Sequence, residues 1–570
     1  MNALFLVAVT VVAFVFGYRF YAKLLALEIF RLDANYSTRA QSHPDGQDYV
    51  PTQRHLLLGH HLAATTGISA FAAPIVALDW GWIPAFLWIA IGGTVAAGTY
   101  ALGSFWLSSR YPDDLGQLAR SLIGPRARFV IRLLTVVTLL IVIAAAAGFS
   151  ATLFSAFPAA VLPTAAVVLL AWIFGSYLHG RAESQLLPAA AVMLTVILLL
   201  TWWLGGFPLS FSGQLTIALG ASARIAIDAV VVWVVLLLAY AFFSARQPVW
   251  KLMRPRGFLA ALMAGVMLVL FFAALVVAHP TIDAPQFHSP PSSTSTLPWL
   301  FLVIGSGALA GWHLLIVRGV TGRALQRETD ARYVGYGAAI VQGIIALSAL
   351  LLAATTFADR GTWTASTSAL GVADLPRAAA FYVDQYARLV AVLGFDATTL
   401  RYFAATVLAG LSLAVLEAAV RALMNGLIDI APPQPALSGR RDGRRTRLWL
   451  VVLGGAILAL HDGKGLGGID AWPLLALASL WLAATGFALM ALALGRAQQS
   501  IWITIALAAA VAAMAAWSTV AQLWVWWQAE TWIAFIAGAI IALLAVLLLC
   551  EGALALRRLS PAQPQTAPDA

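Results

Sequence analysis

Charged side chains and cysteine are both scarce in this sequence. Only 10% of its 570 residues are Asp, Glu, Lys or Arg, whereas soluble domains carry about 25%. The single cysteine, Cys550, lies in an apolar run, which excludes a disulfide framework, a cysteine-based zinc site and an iron–sulfur cluster. The sequence contains no H-E-x-x-H motif and no phosphate-binding loop, and its histidines lack ligand spacing. We therefore expect no metal, no cofactor and no enzymatic activity.

Apolar residues, by contrast, make up 61% of the chain and fall into long runs. A bilayer core about 30 Å thick is crossed by about 20 helical residues, so the runs predict an all-α polytopic membrane protein. The fifteen runs that we interpret as membrane spans are 3–24, 55–78, 82–108, 128–150, 157–178, 186–205, 224–245, 257–279, 297–317, 333–357, 398–425, 446–461, 469–495, 499–521 and 525–555. They form one domain over residues 1–559, and the composition of residues 560–570 is typical of a disordered tail.

Basic residues are concentrated in alternate connections between these runs, as in the segment 440–447. Connections rich in Lys and Arg face the cytoplasm, so the pattern predicts an outside N-terminus and a cytoplasmic C-terminus. The net charge of +10 is thus explained by topology, and no nucleic-acid partner is expected. The first run has no basic segment before it and no small-residue cleavage site, so we interpret it as a span and not as a signal peptide.

The longest outside connection, 358–397, contains a helical pattern. Phe381, Tyr382, Tyr386 and Leu389 fall at helical spacing, and Asp384 lies on another side. This pattern predicts an amphipathic helix at the membrane interface over residues 373–395.

Few charged residues lie within the predicted spans, and each is a functional candidate because a charge in a membrane is costly. Glu417 and Arg421 are four residues apart, so they share a helix face and are predicted to pair. Such a pair is either a structural link between packed helices or a switchable pair in a transport pathway. Asp228 is expected near the lipid headgroups at the outer end of its span.

Polar and helix-interrupting residues in the spans are further candidates. His60 and His61 point about 100° apart on a helix, which disfavours a shared metal ion. Two interpretations are open for these histidines and for His313: they pack and form hydrogen bonds with neighbouring helices, or they line a solute pathway. Gly67 and Pro74 flank a short stretch of the second span. They are common in ordinary membrane helices, but they also occur in the broken helices of transporters.

Five stretches together resemble a known family. They are Y-R-F-Y-A-K at 18–23 with D-G-Q-D-Y-V-P-T at 45–52 and G-H-H at 59–61; A-Y-A-F-F at 239–243 with P-V-W-K-L-M-R-P-R at 248–256; S-G-A-L-A-G-W-H at 306–313 with T-G-R-A-L-Q-R-E-T-D-A-R-Y-V-G-Y-G at 321–337; L-E-A-A-V-R-A-L-M at 416–424; and G-G-I-D-A-W-P-L at 467–474. In this order they resemble the carbon starvation protein A (CstA) family of membrane transporters. The resemblance implies a multi-pass protein of the bacterial inner membrane that imports peptides or a small carboxylate such as pyruvate, driven by a cation gradient. It also implies the amino acid–polyamine–organocation architecture, with inverted repeats and a broken helix at the site.

The sequence departs from the family pattern mainly at intramembrane polar positions. Ser69 and Ala70 replace an inner Gly-Pro, Leu102 and Gln342 stand where the family has acidic residues, and Ser479 stands in place of an asparagine. The resulting candidates for a substrate or ion pathway are His60, His61, Gly67, Ser69, Pro74, His313, Gln342, Glu417, Arg421 and Ser479.

These departures leave two functions open. The first is a secondary transporter with altered coupling or substrate. The second is a non-transporting structural or regulatory membrane subunit on the same scaffold, because fold alone does not determine function. The expected partners are the lipid bilayer, a small-molecule or peptide solute, and a membrane-protein partner or a second copy of the chain.

Overall fold

A computed structural model of the chain consists almost entirely of helices. It describes all residues except 68, 112–113, 212–214, 219–223, 289–296, 308, 356–374, 428–439 and 559–570. The predicted disordered tail lies outside the described residues, and so does the first part of the connection 358–397, residues 358–374. The main elements are α1 (Ala3–Ile29), α2 (Arg54–Thr66), α3 (Ser69–Trp80), α4 (Trp82–Arg110), α5 (Leu115–Leu122), α6 (Pro125–Ala156), α7 (Pro158–Leu178), α8 (Glu183–Leu204), β1 (Leu215–Ala218), β2 (Arg224–Ile227), α9 (Ala229–Arg246), α10 (Met253–Ala278), α11 (Leu297–Ser306), α12 (Trp312–Ile316), α13 (Arg332–Thr355), α14 (Leu375–Val390), α15 (Ala397–Gly426), α16 (Arg440–Leu460), α17 (Trp472–Arg496), α18 (Trp502–Gln528) and α19 (Trp532–Arg557).

Twelve of the described helices are long and apolar enough to cross a bilayer, and each coincides with a predicted span. They are α1, α4, α6, α7, α8, α9, α10, α13, α15, α17, α18 and α19. The pair α2 and α3 is a further candidate, bent by 50° between its two halves. The all-α polytopic class is thus confirmed, whereas the count of fifteen spans and the orientation of the termini stay predictions.

Two of the predicted spans are not continuous helices, so the prediction was wrong for them in this respect. The run 297–317 is not one helix, because the chain leaves the helical path after α11 and resumes it at α12. The run 224–245 is helical only from Ala229, since residues 224–227 form β2, which pairs antiparallel with β1. Asp228 caps the start of α9, where its side chain accepts a hydrogen bond of 2.9 Å from the Val230 amide.

The helices differ sharply in how much of their surface the protein covers. The most apolar stretch of α15 is entirely buried and that of α17 is 89% buried, whereas those of α8 and α19 are only 22% buried. Helix α15 therefore forms the centre of the molecule, and α8 and α19 lie at its edge. The many alanines and glycines of α15 and α17 suit this position, because small residues let membrane helices approach closely.

The amphipathic helix α14 is covered by protein on its apolar face. Tyr382, Val383, Tyr386 and Val390 are completely buried, and the Tyr386 hydroxyl donates to the Met267 carbonyl of α10 at 3.2 Å. The apolar pattern thus marks a face that packs on other helices. The placement of the segment 373–395 at the membrane interface stays a prediction.

Candidate functional site

The backbone is interrupted between α2 and α3. Gly67 ends α2 with φ +50° and ψ 179°, a conformation that only glycine adopts at little cost. Pro74 lies inside α3 and cannot donate a backbone hydrogen bond. The sequence-based expectation of a break at this position agrees with the 50° bend.

A second interruption lies between α11 and α12, where residues 307 and 309–311 are not helical. Here Gly311 approaches α17 so closely that a Cβ atom on it would stand 2.2 Å from the Ser479 carbonyl oxygen. Its amide donates to that carbonyl at 3.2 Å, and its own carbonyl accepts a hydrogen bond of 2.9 Å from the Tyr100 hydroxyl. Neighbouring helices thus satisfy both backbone groups of Gly311, as the absence of water from a bilayer core requires.

The two interruptions meet. A Cβ atom on Gly307, in the second break, would lie 3.3 Å from the backbone oxygen of Ser69, which begins α3 after the first break. Both irregular stretches are therefore buried in protein side by side. In membrane proteins such backbone is found where it is covered by protein or lines a cavity.

Polar side chains surround this meeting point in a group that we call the break cluster: His61, Thr65, His313, Thr321 and Gln342. Gln342 donates from Nε2 to the Thr65 hydroxyl at 2.9 Å, and that hydroxyl donates to the His61 carbonyl at 2.7 Å. Nδ1 of His61 lies 3.1 Å from the Thr321 hydroxyl, and the His313 ring reaches the Thr65 backbone. The cluster joins α2, α12 and α13 through neutral hydrogen-bonding groups.

Two cavities border the first break. The Gln342 cavity, about 60 Å³, is lined by Ser69, Pro74, Gly307 and Gln342 together with alanines and other apolar side chains. The Ser412 cavity, about 70 Å³, lies on the other side of Ser69 and reaches Gly67 and Trp312. A space of about 10 Å³ between His61, His313 and Gln342 has room for about one water molecule.

Two of the predicted site residues differ in their surroundings from the break cluster. His60 packs against α10, where a Cβ atom on Gly257 would lie 2.9 Å from its Nδ1; neither ring nitrogen finds a partner among the described residues. The Ser479 hydroxyl is also buried and unpartnered within the described chain, and Ser479 contributes its carbonyl to the second break. The two adjacent histidines thus have separate environments, as the 100° angle between them predicts.

The predicted pairing of Glu417 with Arg421 was wrong. Glu417 instead accepts two hydrogen bonds at Oε2 from Arg256 of α10, at 2.9 Å from Nε and 2.5 Å from Nη2. Its Oε1 accepts from Ser244 at 2.8 Å and from the Tyr240 hydroxyl, both of α9. Both Arg256 bonds converge on one carboxylate oxygen, and such charge-assisted bonds are stronger than bonds between neutral groups. Arg256 of the facing helix is therefore the ion-pair partner of Glu417.

Arg421 pairs with Asp48 of the connection after α1, at 2.8 Å from its Nε, and donates to the carbonyls of Ala245 and Gln247. Burial works to raise the pKa of Asp48, but the charges of Arg421 and Arg323 outweigh it, and the pKa lies below its ordinary value. Glu417 and Arg421 thus hold α9, α10, α15 and the segment 45–52 together, and they do not line the Gln342 cavity.

Sequence reasoning missed Arg256, Asp48, Thr65 and Tyr100. Arg256 directly precedes the predicted span 257–279, a position typical of a basic cytoplasmic connection, yet it lies within α10 and is 1% exposed. Asp48 lies in the D-G-Q-D-Y-V-P-T stretch, between two predicted spans, where an acidic residue gives no sign of being buried. Thr65 and Tyr100 are ordinary helix residues in sequence, and only the three-dimensional crossing shows their contacts.

Comparisons with known proteins agree with the resemblance. The family model described as carbon starvation protein CstA matches residues 2–431. A "Peptide transporter CstA" of Mycobacterium tuberculosis is 30% identical over 372 residues, 62% of this chain and 47% of that protein. Two Escherichia coli proteins, "Pyruvate/proton symporter BtsT" and "Peptide transporter CstA", are 29% and 28% identical over 62% and 70% of this chain and 49% and 56% of their own lengths. The chain thus spans about half the length of the curated relatives it matches.

A solved structure, MhsT in complex with L-phenylalanine, is similar with a TM-score of 0.45 and 12% identity, over 87% of this chain and 98% of that one. The spanning helices and the bacterial relatives place the protein in a bacterial inner membrane as a multi-pass protein. Since the family model covers about three quarters of the sequence, the chain belongs to the carbon starvation protein CstA family.

Proposed function

We propose that this protein is a secondary transporter that imports a small carboxylate such as pyruvate, or short peptides, and that its site lies where the two helix breaks meet. The observation that carries the proposal is the contact between Gly307 and Ser69, which brings two interrupted backbones together beside a cavity. Broken helices that meet in this way are the usual substrate and ion sites of transporters. The names of the relatives cited above supply the two solute classes.

The amino end of α3 supports an anionic solute. Residues 69 and 70 begin this helix, so their amides have no partner within it, and the positive end of the helix dipole points into the break. Ser69 borders both the Gln342 cavity and the Ser412 cavity. A carboxylate held here is the ligand that such a helix end favours.

The size of the Gln342 cavity supports a solute as small as pyruvate. At about 60 Å³ it has room for roughly four water molecules, and alanines form much of its wall. A peptide would require the cavity to widen, for example by joining the Ser412 cavity across Ser69. We therefore rank the small carboxylate ahead of the peptide.

The side chains around the breaks support altered coupling. Among the described residues that line the Gln342 cavity and the smaller space beside it, His61 and His313 are the titratable groups apart from Tyr100, and none is acidic. Leu102, at a position where the family resemblance implies an acid, is completely buried and apolar. Because leucine has no titratable group, position 102 cannot carry a proton as a carboxylate would.

Uptake into proteoliposomes tests the proposal. We expect labelled pyruvate to accumulate, and Gln342→Leu to lower kcat/KM about tenfold, because the Thr65 hydroxyl and a bound solute each lose a hydrogen-bonding partner. Gln522→Leu is the control for removal of a glutamine amide, since Gln522 is buried in α18, away from the Gln342 cavity. Dialanine in place of pyruvate distinguishes the two solute classes.

Absence of uptake for both solutes, with the protein folded and correctly inserted, would contradict transport. That result would favour the second function, a structural or regulatory membrane subunit. Co-purification with a partner membrane protein would then be the observation to seek.

A further inference from the structure

A long apolar groove runs along the outside of the molecule between α1 and α13. Val11 and Phe14 of α1, Phe272 of α10, and Ile340 and Ile344 of α13 form its walls, and its volume is about 670 Å³. This is about ten times the volume of either cavity at the breaks. Along α13 it extends from Arg332 to Leu347, about 22 Å at 1.5 Å per residue, which is enough to cover one leaflet of a bilayer core about 30 Å thick.

One end of the groove is cationic. Both flanking helices widen into a π-helical turn there, at Gly17–Tyr21 and at Arg332–Tyr336, and such turns often mark functional places in a helix. The turns bring Arg19 and Arg332 to the same end of the groove. Arg332 donates to the Tyr18 carbonyl at 2.7 Å, and its guanidinium lies 4.7 Å from the centre of the Tyr18 ring.

Neither arginine has an anionic partner in the part of the chain that the structure describes. The ion pairs found there engage other residues, and Nε of Arg332 is buried without a hydrogen-bond acceptor. Arg19 is exposed and lies 16 residues into α1, about 24 Å from its start. Two uncompensated guanidinium groups therefore stand near one face of the membrane, at the head of an apolar groove.

We propose that this groove binds an anionic glycerophospholipid, with the lipid phosphate between Arg19 and Arg332 and one acyl chain along α13. The groove matches such a lipid in charge and in length: it has positive charge at the depth of the headgroups and apolar walls that extend through one leaflet. Basic pockets between membrane helices bind anionic headgroups for the same reason. The site is separate from the break cluster and does not depend on the proposed transport function.

Native mass spectrometry of the purified protein with phosphatidylglycerol and phosphatidylcholine of identical acyl chains tests this site. We expect selective retention of phosphatidylglycerol. Arg19→Gln should reduce that selectivity about fivefold, because one arginine near the surface contributes about that factor, and Arg19→Gln with Arg332→Gln should abolish it. Val11→Trp, which fills the groove at an exposed position, should reduce binding of both lipids.

Arg120→Gln is the matched control, because Arg120 is an exposed arginine at the end of α5, outside the groove. Equal loss of selectivity in Arg120→Gln and Arg19→Gln would show diffuse surface attraction and overturn the proposal. Competition by glycerol 3-phosphate as effective as that by the whole lipid would also overturn it, since a free phosphate does not need the groove. Unchanged selectivity for phosphatidylglycerol in Arg19→Gln would overturn the proposal as well.

Discussion

Glu417 illustrates how hydrogen-bond donors surround a buried carboxyl group in the middle of a membrane protein. It is 1% exposed, and four donors from Arg256, Tyr240 and Ser244 surround its two oxygens. Removing one member of a buried ion pair leaves the other charge uncompensated, which costs more than removing both. The arrangement thus ties α9, α10 and α15 together at a single residue.

A double-mutant cycle on this pair is our first prediction. Glu417→Gln and Arg256→Gln should each lower the free energy of unfolding in detergent by about 3–5 kcal/mol, and the double variant should be less destabilised than the sum of the two. Thermal unfolding followed by fluorescence measures the effect.

The exposed pair Arg401 and Asp384 is the control, because its side chains are 52% and 38% exposed and such pairs contribute at most about 1 kcal/mol. A cycle on Glu417 and Arg421 should give little coupling. Strong coupling between those two residues instead would contradict the ion pairs described here.

The second prediction concerns the pH dependence of the pair formed by Asp48 and Arg421. The folded-state pKa of Asp48 lies below its ordinary value, so its contribution to stability is present above the unfolded pKa, about 3.9, and is lost as pH falls through the folded pKa. Asp48→Asn should therefore lower Tm at pH 7, and the difference from the natural protein should shrink below about pH 4. Asp384→Asn is the exposed control; a Tm difference for Asp48→Asn that is constant down to pH 3 would rule out the charged pair.

Helical spacing predicted that Glu417 and Arg421 share a face, and that part was correct. It could not predict their partners, because Arg256 and Asp48 are 161 and 373 residues away from them in sequence. Only the packing of α10 and of the segment 45–52 on α15 brings these charges together. The sequence pattern thus identifies which charged residues are costly to bury, and the tertiary structure determines which partner compensates each charge.

At the scale of the element, the break after α2 depends on one backbone conformation. A Cβ atom on Gly67 would meet no atom closer than 3.6 Å, so space does not require glycine there. The φ of +50° with ψ 179° does require it, since a residue with a side chain in this region costs about 1–3 kcal/mol.

The third prediction follows from this distinction. Gly67→Ala should lower the free energy of unfolding by about 1–3 kcal/mol. It should also reduce uptake, because the chain can relieve the strain by changing the backbone conformation at residue 67 on which the break depends. Gly265→Ala is the control: Gly265 lies in the interior of α10 with nothing near its Cβ position, and alanine there should be neutral or stabilising by up to about 1 kcal/mol. Full stability and uptake in Gly67→Ala would show that the break does not depend on glycine.

Periodicity and composition predicted most elements because a membrane helix must be both long and apolar. They failed for α11 and α12, since the residues 307–311 are as apolar as the helices on either side. The close approach of Gly311 to α17 is a tertiary contact, and no local pattern signals it. For α14 the pattern predicted the helix and its apolar face, but not that Met267 and other protein groups cover that face.

At the scale of the molecule, the topology rests on the distribution of basic residues. Helix α15 has 30 residues and is therefore about 45 Å long, longer than the bilayer core. Residues at its two ends should consequently face opposite sides, with the segment 440–447 in the cytoplasm.

Cysteine labelling provides the fourth prediction. With Cys550 replaced by serine, Arg445→Cys should react only with reagent on the cytoplasmic side, and Phe395→Cys only with reagent on the outside. Both positions are exposed, so a failure to react cannot be attributed to burial in the protein. Labelling of both cysteines from one side would contradict the predicted fifteen-span topology.

The last prediction concerns the energy source of transport, which rests on the proposed function. Coupling to protons requires a group in the pathway that changes its charge over the working pH range. Leu102 and Gln342 do not titrate, and Glu417 is engaged by Arg256 outside the Gln342 cavity. We therefore expect uptake to fall less than about twofold when an imposed pH gradient is collapsed with an exchanger, at a constant membrane potential. The relative named pyruvate/proton symporter BtsT, measured in parallel, is the reference for a response to that treatment.

The histidines at the breaks decide how a contrary result would be explained. An ordinary histidine titrates near pH 6.5, and His61 and His313 face the same small space beside Gln342. If uptake vanishes with the gradient, the prediction of weak proton coupling is wrong, and His61→Gln with His313→Gln then separates the sources. If the double variant no longer responds to the gradient, the coupling proton binds to a histidine of the break cluster, because the other residues of that cluster do not titrate. Retention of the response would assign the proton to a carboxylate outside the cluster, and the solute pathway would then have to extend beyond the meeting point of the two breaks.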